Sequence, residues 1–170
     1  MIISEVQETP SKFAKELITS TIENNAEGVL TTINSDGTPS SSVITLHKLE
    51  DYTYFFMTKD TTKKYDNLEF NPNISYLVFD PFSRTELEIK GLTEFVWDEH
   101  TRKHALKIIE KDTHKGRGHI SPFVTTEDSY ALFTIHPQSI HFTTYWDKGD
   151  GPEIYRETIE FTVKDTDYPS

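Results

Sequence analysis

Thr58, Thr62, Lys63 and Lys64 sit close together where an apolar run, Phe55-Phe56-Met57, gives way to the hydroxyl-rich turn Lys59-Asp60-Thr61-Thr62. Two adjacent lysines then open a short helix that is stopped by Asn71-Pro72. Hydroxyls, ammonium groups and the free N–H groups of a helix start converge on one point, which is the chemistry that holds a phosphate. Neighbours on a helix point about 100° apart, so both lysines cannot serve one phosphate. Lys64 is the expected side-chain ligand and Lys63 the weaker one. Taken alone, the spacing also describes a capped helix with two solvated lysines.

Other candidates carry less chemistry. His100 and His104 stand four apart on a helix without a strong third ligand, so a solvated helix face outweighs a metal edge. Asp147-Lys148-Gly149-Asp150-Gly151 lacks the ligand spacing of a calcium loop and reads as a hairpin turn. The positive stretch from His114 to His119 lies in a long irregular segment, residues 114–128, which is equally a lid or a plain connection. No serine stands in a nucleophile elbow, so hydrolase chemistry has no support.

Composition narrows the classes further. The 28 acidic residues against 17 basic ones give a net charge of −11, and that field repels nucleic acid and anionic membranes. A small anion can still be held by a local basic pocket. With no cysteine, disulfides, thiolate metal sites and a cysteine nucleophile are excluded. The first residues have no basic and apolar leader pattern, and no run is long and apolar enough to span a bilayer, so a cytoplasmic protein is expected.

A chain of 170 residues suits one domain. Thr9-Pro10 is read as the start of a helix over about residues 9–25. Strands are expected at 29–33, 40–46, 52–58, 74–79, 85–97, 130–135, 140–146 and 154–163. Asn34-Ser35-Asp36-Gly37 forms a hairpin turn between the first two. Helices are expected at 61–70 and after Asp98, where Ala105, Ile108 and Ile109 make the buried stripe. Gly91 inside a strand marks a bulge or a barrel bend. The fold class is therefore mainly β, a barrel over about residues 28–163 with flanking helices and a frayed polar tail at 164–170.

Three blocks, in this order and spacing, carry a family resemblance: Gly28-Val29-Leu30-Thr31-Thr32-Ile33 with Asp36-Gly37-Thr38-Pro39; Tyr54 through Lys64 with Leu68 and Asn71-Pro72-Asn73; and Glu86 through Glu94 around Gly91. Together they resemble the pyridoxamine 5′-phosphate oxidase-like FMN-binding split-barrel proteins, above all the general stress protein subgroup. The resemblance implies an antiparallel split barrel of six strands, and a homodimer with FMN sites at the subunit interface. It also implies an oxidoreductase acting on a small-molecule substrate. Thr58, Thr62, Lys63 and Lys64, with Met57 beside them, match the positions around the FMN phosphate and ribityl chain. Val43, Ile44 and Thr45 match the strand alongside the isoalloxazine ring, and Glu86 falls where the oxidase has a flavin-contacting glutamine. Trp146 is a candidate ring partner, against a core or interface role. Ser42 stands where the oxidase carries an arginine, and the C-terminal elements that recognise pyridoxine phosphate are not recognisable. True pyridoxine-phosphate oxidase activity is therefore not expected. A deazaflavin (F420) reductase, a flavin-binding stress protein without turnover and a barrel without cofactor are the alternatives.

Overall fold

The computed structural model describes residues 2–25, 27–114, 130–147 and 152–165. In chain order the elements are β1 (Ile2–Val6), α1 (Lys12–Asn24), β2 (Glu27–Ile33), β3 (Pro39–Thr45), β4 (His47–Glu50), β5 (Thr53–Lys59), α2 (Lys63–Phe70), β6 (Asn73–Asp80), β7 (Thr85–Phe95), α3 (Glu99–His114), β8 (Tyr130–Asp147) and β9 (Pro152–Asp165). The Asn34–Gly37 turn closes with Gly37 at φ +83°, a conformation that favours glycine. It brings β3 back antiparallel to β2, with Val29 opposite Val43.

Antiparallel pairing then runs full circle. β2 pairs with β6, β6 with β7, β7 with β8, β8 with β5, and β5 with β4, which continues β3 past Leu46. With β3 and β4 counted as one bent strand, this is a six-stranded barrel. Two strands lie outside the ring: β9 pairs with the second half of β8, and β1 with the end of β9. Alternate residues turn inward. Leu30, Ile44, Phe56, Tyr76, Leu87, Ile89 and Phe142 fill the interior, and α1 adds Ala14, Ile18 and Ile22 to the same core. On the outside of β5 and β8, Phe55 and Leu132 pack with Val96 and with Ala105 and Ile109 of α3. A buried hydrogen bond of 2.8 Å between His47 and Asp112 ties α3 to β4.

The structure redraws several expected boundaries. The strands expected at 130–135 and 140–146 are one strand, β8, kept continuous because β7 pairs along nearly its whole length. The strand expected over 40–46 is β3, and past Leu46 the chain goes on into β4, which was not expected and takes β5 as its partner. The first helix starts after Ser11, whose hydroxyl accepts the Ala14 N–H, and not at Thr9-Pro10. The strand β1 was not expected; its short polar alternation offers little signal until β9 pairs with it. The expected tail begins later, since Lys164 lies in β9 and pairs with Glu5 at 2.7 Å. Residues 115–129, 148–151, where a hairpin turn was expected, and 166–170 lie outside the described residues. Among the described residues no helix is long and apolar enough to cross a membrane.

Gly91 sits where the β7–β8 register shifts, facing Pro137. A Cβ there would stand 2.4 Å from the His136 carbonyl oxygen. Gly91→Ala should cost about 1–3 kcal/mol through overpacking against backbone, measured by denaturant unfolding; a loss within experimental error would remove the bulge from its structural role.

His136 is buried at the same place. Thr134 donates its one hydroxyl proton to the Glu94 carbonyl, so the 3.0 Å contact to His136 is an Nε2–H donated to Thr134. Burial holds the His136 pKa below its ordinary value, although the Glu94 carboxylate pulls the other way. A histidine kept neutral in the fold binds fewer protons than the unfolded chain below about pH 6.5. Stability should therefore fall as pH drops from 7 towards 5, and His136→Gln should flatten that limb of the pH–stability curve; an unchanged slope would refute the assignment.

Candidate functional site

The expected phosphate cluster forms at one end of the barrel, where β5 runs into α2. Thr58 is the last inward-facing residue of β5 and is buried. Its hydroxyl lies 2.9 Å from that of Thr62, the N-cap of α2. Thr62 Oγ1 donates to the Lys59 carbonyl at 2.8 Å and accepts the Tyr65 N–H at 3.4 Å, so Thr58 donates to Thr62. Thr62 N–H also reaches the Lys59 carbonyl at 3.2 Å. The Thr62 hydroxyl can therefore turn towards an anion without leaving that carbonyl unpaired. The N–H groups of Lys63 and Lys64 open the helix and have no acceptor within it.

The two lysines diverge as helix geometry requires. Lys64 is half-buried and has no carboxylate partner among the described residues; burial lowers its pKa. Lys63 is exposed, and its charge acts on Asp36 in the β2–β3 hairpin. There the Thr38 hydroxyl and N–H, and to a lesser degree the Lys63 charge, hold the Asp36 carboxyl below its usual range.

What holds α2 in place was missed in the sequence. Asn67 is buried, and its amide donates to Thr32 Oγ1 at 2.9 Å and to Asn34 Oδ1 at 3.0 Å. Thr32 donates in turn to the Ser40 carbonyl, so one side chain of α2 grips both strands of the hairpin. An asparagine beside Leu68 in a short amphipathic helix was the available signal, because asparagine is a poor helix former unless its amide is used.

The other expected residues fall elsewhere. Ser42 and Ile44 face inward on β3, Ile44 within the core. Val43 points outward and is 63% exposed. On that outer face Val43, Val29 and Leu77 are successive cross-strand partners, and Phe79 and Glu86 form the next pair along β6 and β7. Thr45 shares the face with Val43 by alternation. Met57 turns away from Thr58 and packs against the α3 layer, so it offers a ligand at the cluster only its backbone. The backbone of Trp146 pairs with Glu153, while its side chain lies outside the described residues. His100 and His104 are exposed on α3. One chain thus holds a cationic, hydroxyl-lined end and a separate apolar outer face edged by Glu86.

Comparison with known proteins accords with this arrangement. The family model described as "Pyridoxamine 5'-phosphate oxidase" matches residues 14–144. General Stress Protein 26 from Bacillus anthracis str. Sterne is 28% identical, over 85% of this chain and 98% of its own, with a TM-score of 0.58. A pyridoxamine 5′-phosphate oxidase-related, FMN binding protein from Nostoc punctiforme shares the fold at 15% identity, over 90% of this chain and all of its own (100%), with a TM-score of 0.58. HutZ, a heme storage protein from Vibrio cholerae, shares it at 18% identity, over 72% and 89% of the two chains, with a TM-score of 0.57. No curated protein matches the chain.

Asn67→Ala should destabilise the fold by about 1–3 kcal/mol, because it leaves buried Thr32 without its donor. A double-mutant cycle with Thr32→Val should show that the two changes are not additive; additive losses would mean that the amide does not anchor α2.

Proposed function

The chain belongs to the pyridoxamine 5′-phosphate oxidase family, and on that premise we propose that it binds FMN and works as an oxidoreductase on a small molecule. The observation that carries this reading is Lys64. It is a half-buried ammonium without a carboxylate partner among the described residues, set beside two linked hydroxyls at a helix N-terminus. Desolvating a cation in that way is unfavourable by itself and is offset by a bound anion. A phosphate monoester matches the donor set: the Lys64 ammonium, the Thr58 and Thr62 hydroxyls, and the first N–H groups of α2. Lys63 adds long-range positive charge from the exposed side.

A bound flavin supplies hydride and single-electron exchange, which explains why no dedicated acid–base pair is needed among the side chains. The protein's part is to bind and orient. The outer face around Val43, Val29, Leu77 and Phe79 is an apolar ledge, and Glu86 at its edge repels negative charge developing beside it. A second copy of this chain is the proposed cover for the ledge. It would form a homodimer that joins the phosphate-holding end of one protomer to the ledge of the other. The cytoplasm is the proposed location.

The purified protein, incubated with FMN and desalted, should keep the visible absorption of an oxidised flavin; a colourless protein that takes up no FMN would overturn the reading. Lys64→Ala should weaken FMN binding about ten- to hundredfold, the range of a lost hydrogen bond to a charged group. Val43→Glu should lower the mass seen by light scattering and release flavin together. Reduction of the bound flavin by NADH or NADPH separates an oxidoreductase from a flavin-binding stress protein without turnover.

A further inference from the structure

The hairpin that Asn67 grips also carries a carboxylate, and a relay of four side chains fixes where it stands. Asn67 donates to Asn34 Oδ1 at 3.0 Å, Asn34 Nδ2 donates to the Thr38 hydroxyl at 2.9 Å, and that hydroxyl donates to Asp36 Oδ1. The Thr38 N–H reaches the same oxygen at 2.9 Å. Two backbone bonds of 2.8 Å close the turn, from Asn34 N–H to the Thr38 carbonyl and from Gly37 N–H to the Asn34 carbonyl. Asp36 is exposed, yet its position is set from the middle of α2. Lys63 lies four residues before Asn67, one turn back on the same face of that helix. The first lysine of α2 therefore faces the hairpin, and its charge is felt at Asp36. The Thr38 bonds need only an acceptor oxygen, which an asparagine amide would supply as well. The turn does not require a charge at Asp36. What that charge alters is the balance at the start of α2, where one of two lysines is opposed by a fixed carboxylate.

We infer that Asp36 makes the α2 end selective for a single phosphate group, by opposing Lys63 and so withholding the second cation that a pyrophosphate needs. The inference rests on reading that end as a phosphate site. Lys64, the Thr58 and Thr62 hydroxyls and the first N–H groups of α2 serve one phosphoryl group. A second phosphoryl group, joined through a bridging oxygen, needs its own charged donor. Lys63 is the nearest along the chain, and Asp36 competes for it. The ligand class is therefore a phosphate monoester, and a ligand joined through a pyrophosphate, such as a flavin dinucleotide, is disfavoured.

The test measures binding of inorganic phosphate and of inorganic pyrophosphate to the full chain by calorimetry. Asp36→Asn keeps the acceptor for Thr38 and removes the charge. It should tighten pyrophosphate about two- to fivefold relative to phosphate, the range of an exposed charge pair. High salt should erase that gain. Adding Lys63→Gln should abolish it, because no second cation is then left to recruit. An unchanged ratio of the two affinities in a folded Asp36→Asn variant would overturn the inference, as would a gain that survives without Lys63. Absence of binding by both anions would overturn it too. Thermal unfolding checks that each variant is folded. The flavin reading is judged separately, by uptake of FMN. Uptake with an unchanged ratio in Asp36→Asn removes this inference alone; an Asp36-dependent ratio in a protein that takes up no FMN supports it and removes the flavin reading.

Discussion

The barrel depends on how β8 is shared. One edge of this strand is given to β7 from Phe133 to Thr144, and its other edge is divided between β5 near the start and β9 beyond Ser139. The handover falls at His136 and Pro137. A proline has no N–H to leave unpaired there, and Gly91 opposite has no Cβ to strike the His136 carbonyl. This gap in the pairing lets β5 and β4 curl towards β3 and close the ring while β9 carries the sheet outward. Without the divided edge, β5 would keep only its short pairing with β4, and its end, which β8 holds at Thr58, would not be fixed against α2.

The cationic end then follows from two local devices acting together. Thr62 stops β5 and starts α2 by capping Tyr65, and Asn67 ties the middle of α2 to Thr32 and Asn34. A helix of eight residues is too short to hold itself in water. Its direction is imposed by the buried amide and by Leu68 in the core, and that direction decides which lysine is half-buried. The hydroxyls, Lys64 and the helix start meet because of these tertiary bonds; propensity would not hold the segment helical.

The outer face has the opposite character. Val43, Val29 and Leu77 lie in one cross-strand row because the antiparallel registers of β2, β3 and β6 agree. An alternating strand normally turns polar residues to water on such a face. A row of exposed aliphatic side chains instead describes a surface built for apolar cover, which is why a second copy and a flat ligand enter the functional proposal together. His47 and Asp112 serve the other layer, where their buried polar contact joins α3 to β4 beside the apolar packing of Ala105 and Ile109.

Much of this was legible in the residues. Glycine at the 34–37 turn, glycine inside β7 and the stop at Asn71-Pro72 are local rules, and local rules suffice for most element types and for bringing Thr58, Thr62, Lys63 and Lys64 close together along the chain. The sequence also determined the family resemblance, because the three blocks are contiguous stretches whose order survives without coordinates. Only the tertiary structure decided that two expected strands are one β8, that β1 exists, that Asn67 is a clamp, that Met57 faces α3, and that Val43 and Glu86 share a face remote in sequence. Each of these depends on which strand edge pairs with which, and a strand edge looks the same in sequence whichever partner it meets. Chemistry carried by neighbours along the chain could be read; chemistry assembled by register had to be seen.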